Sequence, residues 1–168
     1  MNNVITHAHL FCGAAGGALG FQRAHARVGT IDARMRLLGG IDVDPAAIRD
    51  FSRLTGVQGT VLDLFDREDY EAFHGAPPPS DWRPAGVDDI RRAFGNETPD
   101  IVFQSSPCKG FSGLLSGKSS KSVKYIALNR LALRGIALLL AAYADDPIPL
   151  ILFENVPRIA SRGRDLLD

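Results

Sequence analysis

Cys108 stands after Pro107 and before Lys109 and Gly110, beyond an apolar run of Ile101, Val102 and Phe103 that Gln104, Ser105 and Ser106 interrupt. A free cysteine is usually a small core residue. This one has polar, turn-forming neighbours, a setting in which a thiolate can act as a nucleophile. Asp42, Asp63 and Glu154 also close apolar runs, and each carboxylate can accept hydrogen bonds from a ligand's hydroxyl or amine groups. A glycine-rich stretch from Gly13 to Gly20 has the spacing G-x-x-G-G-x-x-G. Glycines admit close backbone approach and a helix amino terminus favours negative charge, but this spacing is not the G-x-G-x-x-G of dinucleotide sites. By itself it is equally a tight strand-to-helix connection. Asp42 lies about twenty residues beyond it, where nucleotide-binding βαβ units place an acid on ribose hydroxyls.

These residues can meet only if the strands that carry them end at one edge. Strands are expected over 4–11, 36–41, 57–62, 101–103 and 150–153. Helices are expected after the glycine turn, after Asp44 as N-cap with Pro45 in the first position, around 90–94, and over 126–143. Alternating strands and helices imply an α/β fold with a mostly parallel sheet and ligands at the strands' carboxyl ends. A right-handed crossover makes the fourth and fifth strands neighbours and brings Glu154 towards Cys108. Residues 67–97 read as a less regular surface excursion, with Trp82 as its packing anchor.

A chain of 168 residues suits one domain with a sizeable core. The formal net charge is zero, so composition alone announces no nucleic-acid partner. Between 109 and 134, however, Lys109, Lys118, Lys121, Lys124, Arg130 and Arg134 occur without an acid, which gives either a basic face beside Cys108 or an ordinary solvated helix. Two cysteines and no signal-peptide pattern point to the reducing cytoplasm. The four histidines form no zinc spacing with them, so no metal is expected. The apolar runs 131–143 and 149–153 are too short or interrupted for a bilayer, so a soluble protein without a membrane partner is expected.

In order and spacing, FCGAAGGALGF, GGIDVDPAA, VLDLFD, DIVFQSSPCKGFSG and LILFENVPR resemble the motifs of the cytosine-5 DNA methyltransferases, over residues 10–158. The resemblance implies a Rossmann-like S-adenosylmethionine-dependent sheet. It implies cofactor contacts at Phe11, Gly13, Gly16, Asp42, Val43, Asp63, Leu64 and Leu131. It also implies that Cys108 adds to carbon 6 of cytosine while Glu154 hydrogen-bonds N3 and the exocyclic amine, so that carbon 5 takes the methyl group. Asn155 then shapes the turn, and Lys109 is a candidate for lowering the thiol pKa. The partner implied is double-stranded DNA with its cytosine flipped out, held by a lid over 112–124.

The sequence departs from the family pattern at His9, where Asp is common, at Ala15 and Lys109, and at Ser105-Ser106. Residues 1–168 are expected to form a partial catalytic domain, its sheet truncated after the fifth strand, without a target-recognition domain. A complementary carboxyl-terminal subunit would then be needed. The alternatives are a non-catalytic binding or assembly lobe, an RNA substrate, and a nicotinamide oxidoreductase, the last disfavoured by the glycine spacing and by Cys108 with Glu154.

Overall fold

The computed structural model describes residues 2–109 and 122–162. The strands are β1 (Asn2–Leu10), β2 (His25–Val28), β3 (Ile31–Asp42), β4 (Thr60–Val61), β5 (Ile101–Gln104) and β6 (Leu150–Phe153). The helices are α1 (Gly16–Gln22), α2 (Pro45–Thr55), α3 (Arg67–His74), α4 (Val87–Ala93), α5 (Val123–Ala142) and a single turn, α6 (Ile159–Arg162). One sheet runs β2-β3-β1-β5-β6, with β4 on the end of β3. All pairings are parallel except β2 with β3. Because β3 and β5 flank β1 on opposite sides, the chain reverses direction across the sheet there, opening a crevice at the carboxyl ends.

Strand periodicity assigns the faces. Ala8, Leu10, Ile41 and Val102 join the main core, to which α5 contributes Leu128, Leu131 and Leu139, and α4 contributes Ile90. Ala15, Ala18, Leu37 and Phe51 form a smaller core with α1 and α2 on the other face. Two imidazoles face this second layer. His7 and His9 are buried, with His7 Nδ1 2.9 Å from His9 Nε2, under Phe21 and Phe103. Burial lowers the pKa of His7 to about 4, and burial together with His7 lowers that of His9 to about 3.

The observed elements depart from expectation at definable places. The sheet has six strands, because β3 begins at Ile31 and folds back on β2 through the turn at Thr30. The expected strand over 57–62 shrinks to Thr60–Val61. Upstream, the N–H and C=O of Val57 bond the Thr55 hydroxyl, and the Gly59 N–H donates to Ser52 Oγ, so these groups are lost to the ladder. The excursion over 67–97 holds two helices. Asp66 caps α3 by accepting from the Asp69 N–H, and the Asp89 carboxylate accepts from the Gly86 N–H at the start of α4. The start of α2 is as expected, with Asp44 as N-cap and Pro45 in the first turn.

The apolar run ahead of 143 was expected to be too short for a bilayer, yet α5 has 20 residues and a mean hydropathy of 1.5, enough by length and composition. Its buried residues, among them Ala127, Leu131, Gly135 and Leu139, pack as those of a core helix.

Candidate functional site

The strand ends are joined side to side. The N–H groups of Leu62, Cys12, Ser105 and Glu154 donate to the carbonyls of Asp42, Ile41, Leu10 and Gln104 respectively, at 2.9–3.3 Å. Above this seam lies a cavity of about 290 Å³, near the lower end of small-molecule sites, roughly 300–1,000 Å³. Of the expected cofactor contacts, Phe11, Asp42, Val43, Asp63, Leu64 and Leu131 line it. Gly13 and Gly16 do not. Gly16 is exposed at the first position of α1, while Gly13 is bonded to Asp42, which does line the cavity.

Gly13 has φ +50°, a left-handed conformation that glycine adopts without the Cβ penalty, and its N–H donates to Asp42 Oδ2 at 2.9 Å. Asp42 Oδ1 accepts the Asp44 N–H at 3.0 Å. One carboxylate thus ties the glycine turn to the start of α2. The N–H that a dinucleotide phosphate would need at Gly13 is already bonded to an anion. Asp63 is held similarly: Oδ1 accepts the Phe65 N–H at 2.9 Å and Oδ2 accepts the Trp82 indole N–H at 3.3 Å. Trp82 is the packing anchor expected of it, and it also reaches the site.

Ser105 and Pro107 line the cavity, and the half-buried Cys108 follows directly. The Ser105 hydroxyl donates to the Phe11 carbonyl at 3.1 Å, closing the gap between the β1 and β5 ends. On the other side, Phe153 pairs with Gln104 and Asn155 Nδ2 donates to Ser106 Oγ at 3.4 Å. The parallel pairing of β5 with β6 therefore places the turn bearing Glu154 beside the turn bearing Cys108. Asn155 shapes its turn by accepting the Val156 N–H. Cys12 is a different kind of thiol: burial and then the Asp42 charge push its pKa up to about 12.

The basic stretch along α5 is largely committed elsewhere. Arg130 bonds Asp69 at 3.1 Å and approaches Glu68 at 3.7 Å, Arg134 donates to the Ala85 carbonyl, and Lys124 lies 4.8 Å from the Phe73 ring centroid. Burial raises the Asp69 pKa against the opposing hydrogen bond from Arg130. Of the lid expected over 112–124, residues 112–121, with Lys118 and Lys121, lie outside the described residues, whereas Ser122 is the N-cap of α5 and Val123 and Lys124 begin that helix.

Sequence reasoning missed Phe65, Phe73 and His74, which form an aromatic wall of the cavity. Their signal was the helix hidden in 67–97: an acid at Asp66 as cap, acids in the first turn, and Phe73 and His74 at its end. The cavity's acidic side chains are the carboxylates of Asp42 and Asp63, with no lysine or arginine in its described lining. Such a set of acceptors suits a cationic nucleoside with hydroxyl and amine groups and is a poor match for a pyrophosphate, so the residues present fit S-adenosylmethionine.

Comparison with family models and with curated proteins gives no match. Among solved structures, the chain is similar to the Dnmt2 methyltransferase of S. pombe, with a TM-score of 0.54 and 16% identity. The alignment covers 98% of this chain and 40% of that one. At this identity the likeness establishes the fold alone: a Rossmann-like α/β sheet of the kind found in that structure.

Proposed function

We propose that this chain is the cofactor-binding and nucleophile-bearing lobe of a cytosine-5 methyltransferase acting on DNA. The observation that carries the reading is the shared wall: Ser105 and Pro107 line a carboxylate-bearing nucleoside-sized cavity and lead directly into Cys108. S-adenosylmethionine, when bound, supplies an electrophilic methyl group. Asp42 and Asp63 would hold it by accepting hydrogen bonds from its hydroxyl and amine groups, with Asp42 on the ribose, and the aromatic wall of Phe65, Phe73 and His74 would exclude water. Cys108 sulfur forms a bond to carbon 6 of the flipped cytosine, and Glu154 stabilises the charge that develops on the ring. Carbon 5 would then take the methyl group as S-adenosylhomocysteine leaves, and its proton would pass to solvent water while the C–H electron pair expels the Cys108 sulfur as thiolate.

The outer edge of β6 favours a requirement for a partner. Leu150, Leu152 and Phe153 are exposed on β6, and Ile126, Leu133 and Leu140 are exposed on α5. An exposed apolar strand edge invites pairing. A complementary polypeptide covering it would supply target recognition, and without one the chain would bind or assemble and turn over little.

Transfer of a labelled methyl group from S-adenosylmethionine, with and without a complementary carboxyl-terminal polypeptide, tests both statements. Cys108→Ala is expected to abolish transfer while preserving cofactor binding, and 5-fluorocytosine in the substrate should trap an adduct on Cys108. An adduct mapped elsewhere defeats the assignment of the nucleophile. Transfer to RNA and not to DNA replaces the substrate, and robust sequence-specific turnover by the isolated chain removes the partner.

A further inference from the structure

Residues 75–86 leave α3 through Pro77-Pro78-Pro79 and return to α4, and on the way they carry the chain's one tryptophan back to the strand ends. The Trp82 N–H closes a turn onto the Pro79 carbonyl at 3.0 Å. Its ring packs on Tyr70 with centroids 4.7 Å apart, and the Arg67 guanidinium lies 5.8 Å from the indole centroid. This packing aims the indole N–H at Asp63 Oδ2, 3.3 Å away. The other carboxylate oxygen is bonded to the Phe65 N–H.

An ionised carboxylate offers about four acceptor positions, of which these contacts use one on each oxygen. Turning the Asp63 side chain about its rotamer would break a charge-assisted bond on one side or the other. We propose that Trp82 is a positioning residue for the cavity: its indole N–H fixes the Asp63 carboxylate so that its remaining acceptor positions meet N–H or O–H donors of the bound nucleoside. The inference rests on the reading of the cavity as an S-adenosylmethionine site. It explains why the excursion returns a polar-tipped ring to this strand end, since packing against Tyr70 alone would be served by phenylalanine.

The test uses S-adenosylhomocysteine as the probe, followed by ligand-observed and ¹⁵N-indole NMR, which read weak binding. In the free protein, Asp63→Ala should shift the Trp82 indole resonance, and in the wild type that resonance should move as the probe is added. Trp82→Phe, which keeps the ring and removes the donor, should weaken probe binding about fivefold, and should add nothing in an Asp63→Ala background. No binding to the wild type at millimolar probe overturns the cofactor reading and this inference with it. Equal affinities for wild type and Trp82→Phe overturn the positioning role alone, as does a loss that persists in the Asp63→Ala background. Where Trp82→Phe fails to fold, an indole resonance unchanged between wild type and Asp63→Ala is itself the contrary result.

Discussion

The chain's two cysteines differ in their surroundings. Cys12 is held by its N–H to Ile41, and its sulfur fills the space beside Gly40 against Asp42 and the α2 layer. With its pKa pushed up to about 12, its thiolate fraction near neutrality is negligible. Alkylation by iodoacetamide at pH 7.5 should therefore label Cys108 ahead of Cys12, and mass-spectrometric mapping checks this; preferential labelling of Cys12 would contradict the description of its environment. The distinction was only partly legible in the sequence. Pro107 and the polar residues around Cys108 marked it as a turn residue, whereas Cys12 also stands in a turn and its burial follows from a contact across the sheet. Asp42 shows the same limit: its place at a strand end was readable, but its bonds to Gly13 and Asp44 depend on tertiary register.

Among the elements, β3 bears the tightest packing. A Cβ on Gly39 would run into the Ala93 carbonyl of α4, and one on Gly40 would lie 2.5 Å from the Phe51 ring of α2 and 2.9 Å from Cys12 Sγ. Two successive glycines thus let one strand receive a helix closely on each face. Gly40→Ala should destabilise the fold by about 1–3 kcal/mol, the usual cost of overpacking, because Phe51 is fully buried and has little room to move. Urea denaturation would show a lower midpoint with an unchanged slope; an unchanged midpoint would mean that the α2 layer yields freely. The short apolar runs of β5 and β6 and the cap of α2 could be read from local sequence. β2 and the full length of β3 could not, since Ile31, Ala33 and Met35 alternate with charged residues and reach strand geometry by pairing with β1 and β2. The lost ends of β4 had a local cause, side chains of Ser52 and Thr55 taking the backbone groups that a ladder needs.

For the molecule as a whole, the neutral pair His7 and His9 links folding to pH. Above the ordinary histidine pKa of 6.5 both folded and unfolded chains keep these rings uncharged, and the pair contributes no pH dependence. Below 6.5 the unfolded chain takes up protons that the folded chain refuses until about pH 4, so stability falls as pH drops through that window. At pH 5 the loss is roughly 2 kcal/mol for each histidine. Replacing the pair in His7→Leu/His9→Phe should flatten the dependence of the denaturation midpoint between pH 6.5 and 5; an undiminished slope would assign it to other groups. The seam across the strand ends also sets a gradient of local opening. Cys12 and Ser105 carry the bonds joining the central strands β3, β1 and β5, whereas Leu62 adjoins the two-residue β4 and Glu154 adjoins the outer strand β6. Amide deuterium uptake should therefore be slowest at Cys12 and Ser105 and faster at Leu62 and Glu154. A nucleoside bridging Asp42 and Asp63 would slow exchange at Leu62, which lies between them, and leave Glu154 unaffected, so one uptake map would separate occupancy of the cavity from closure of the β6 edge.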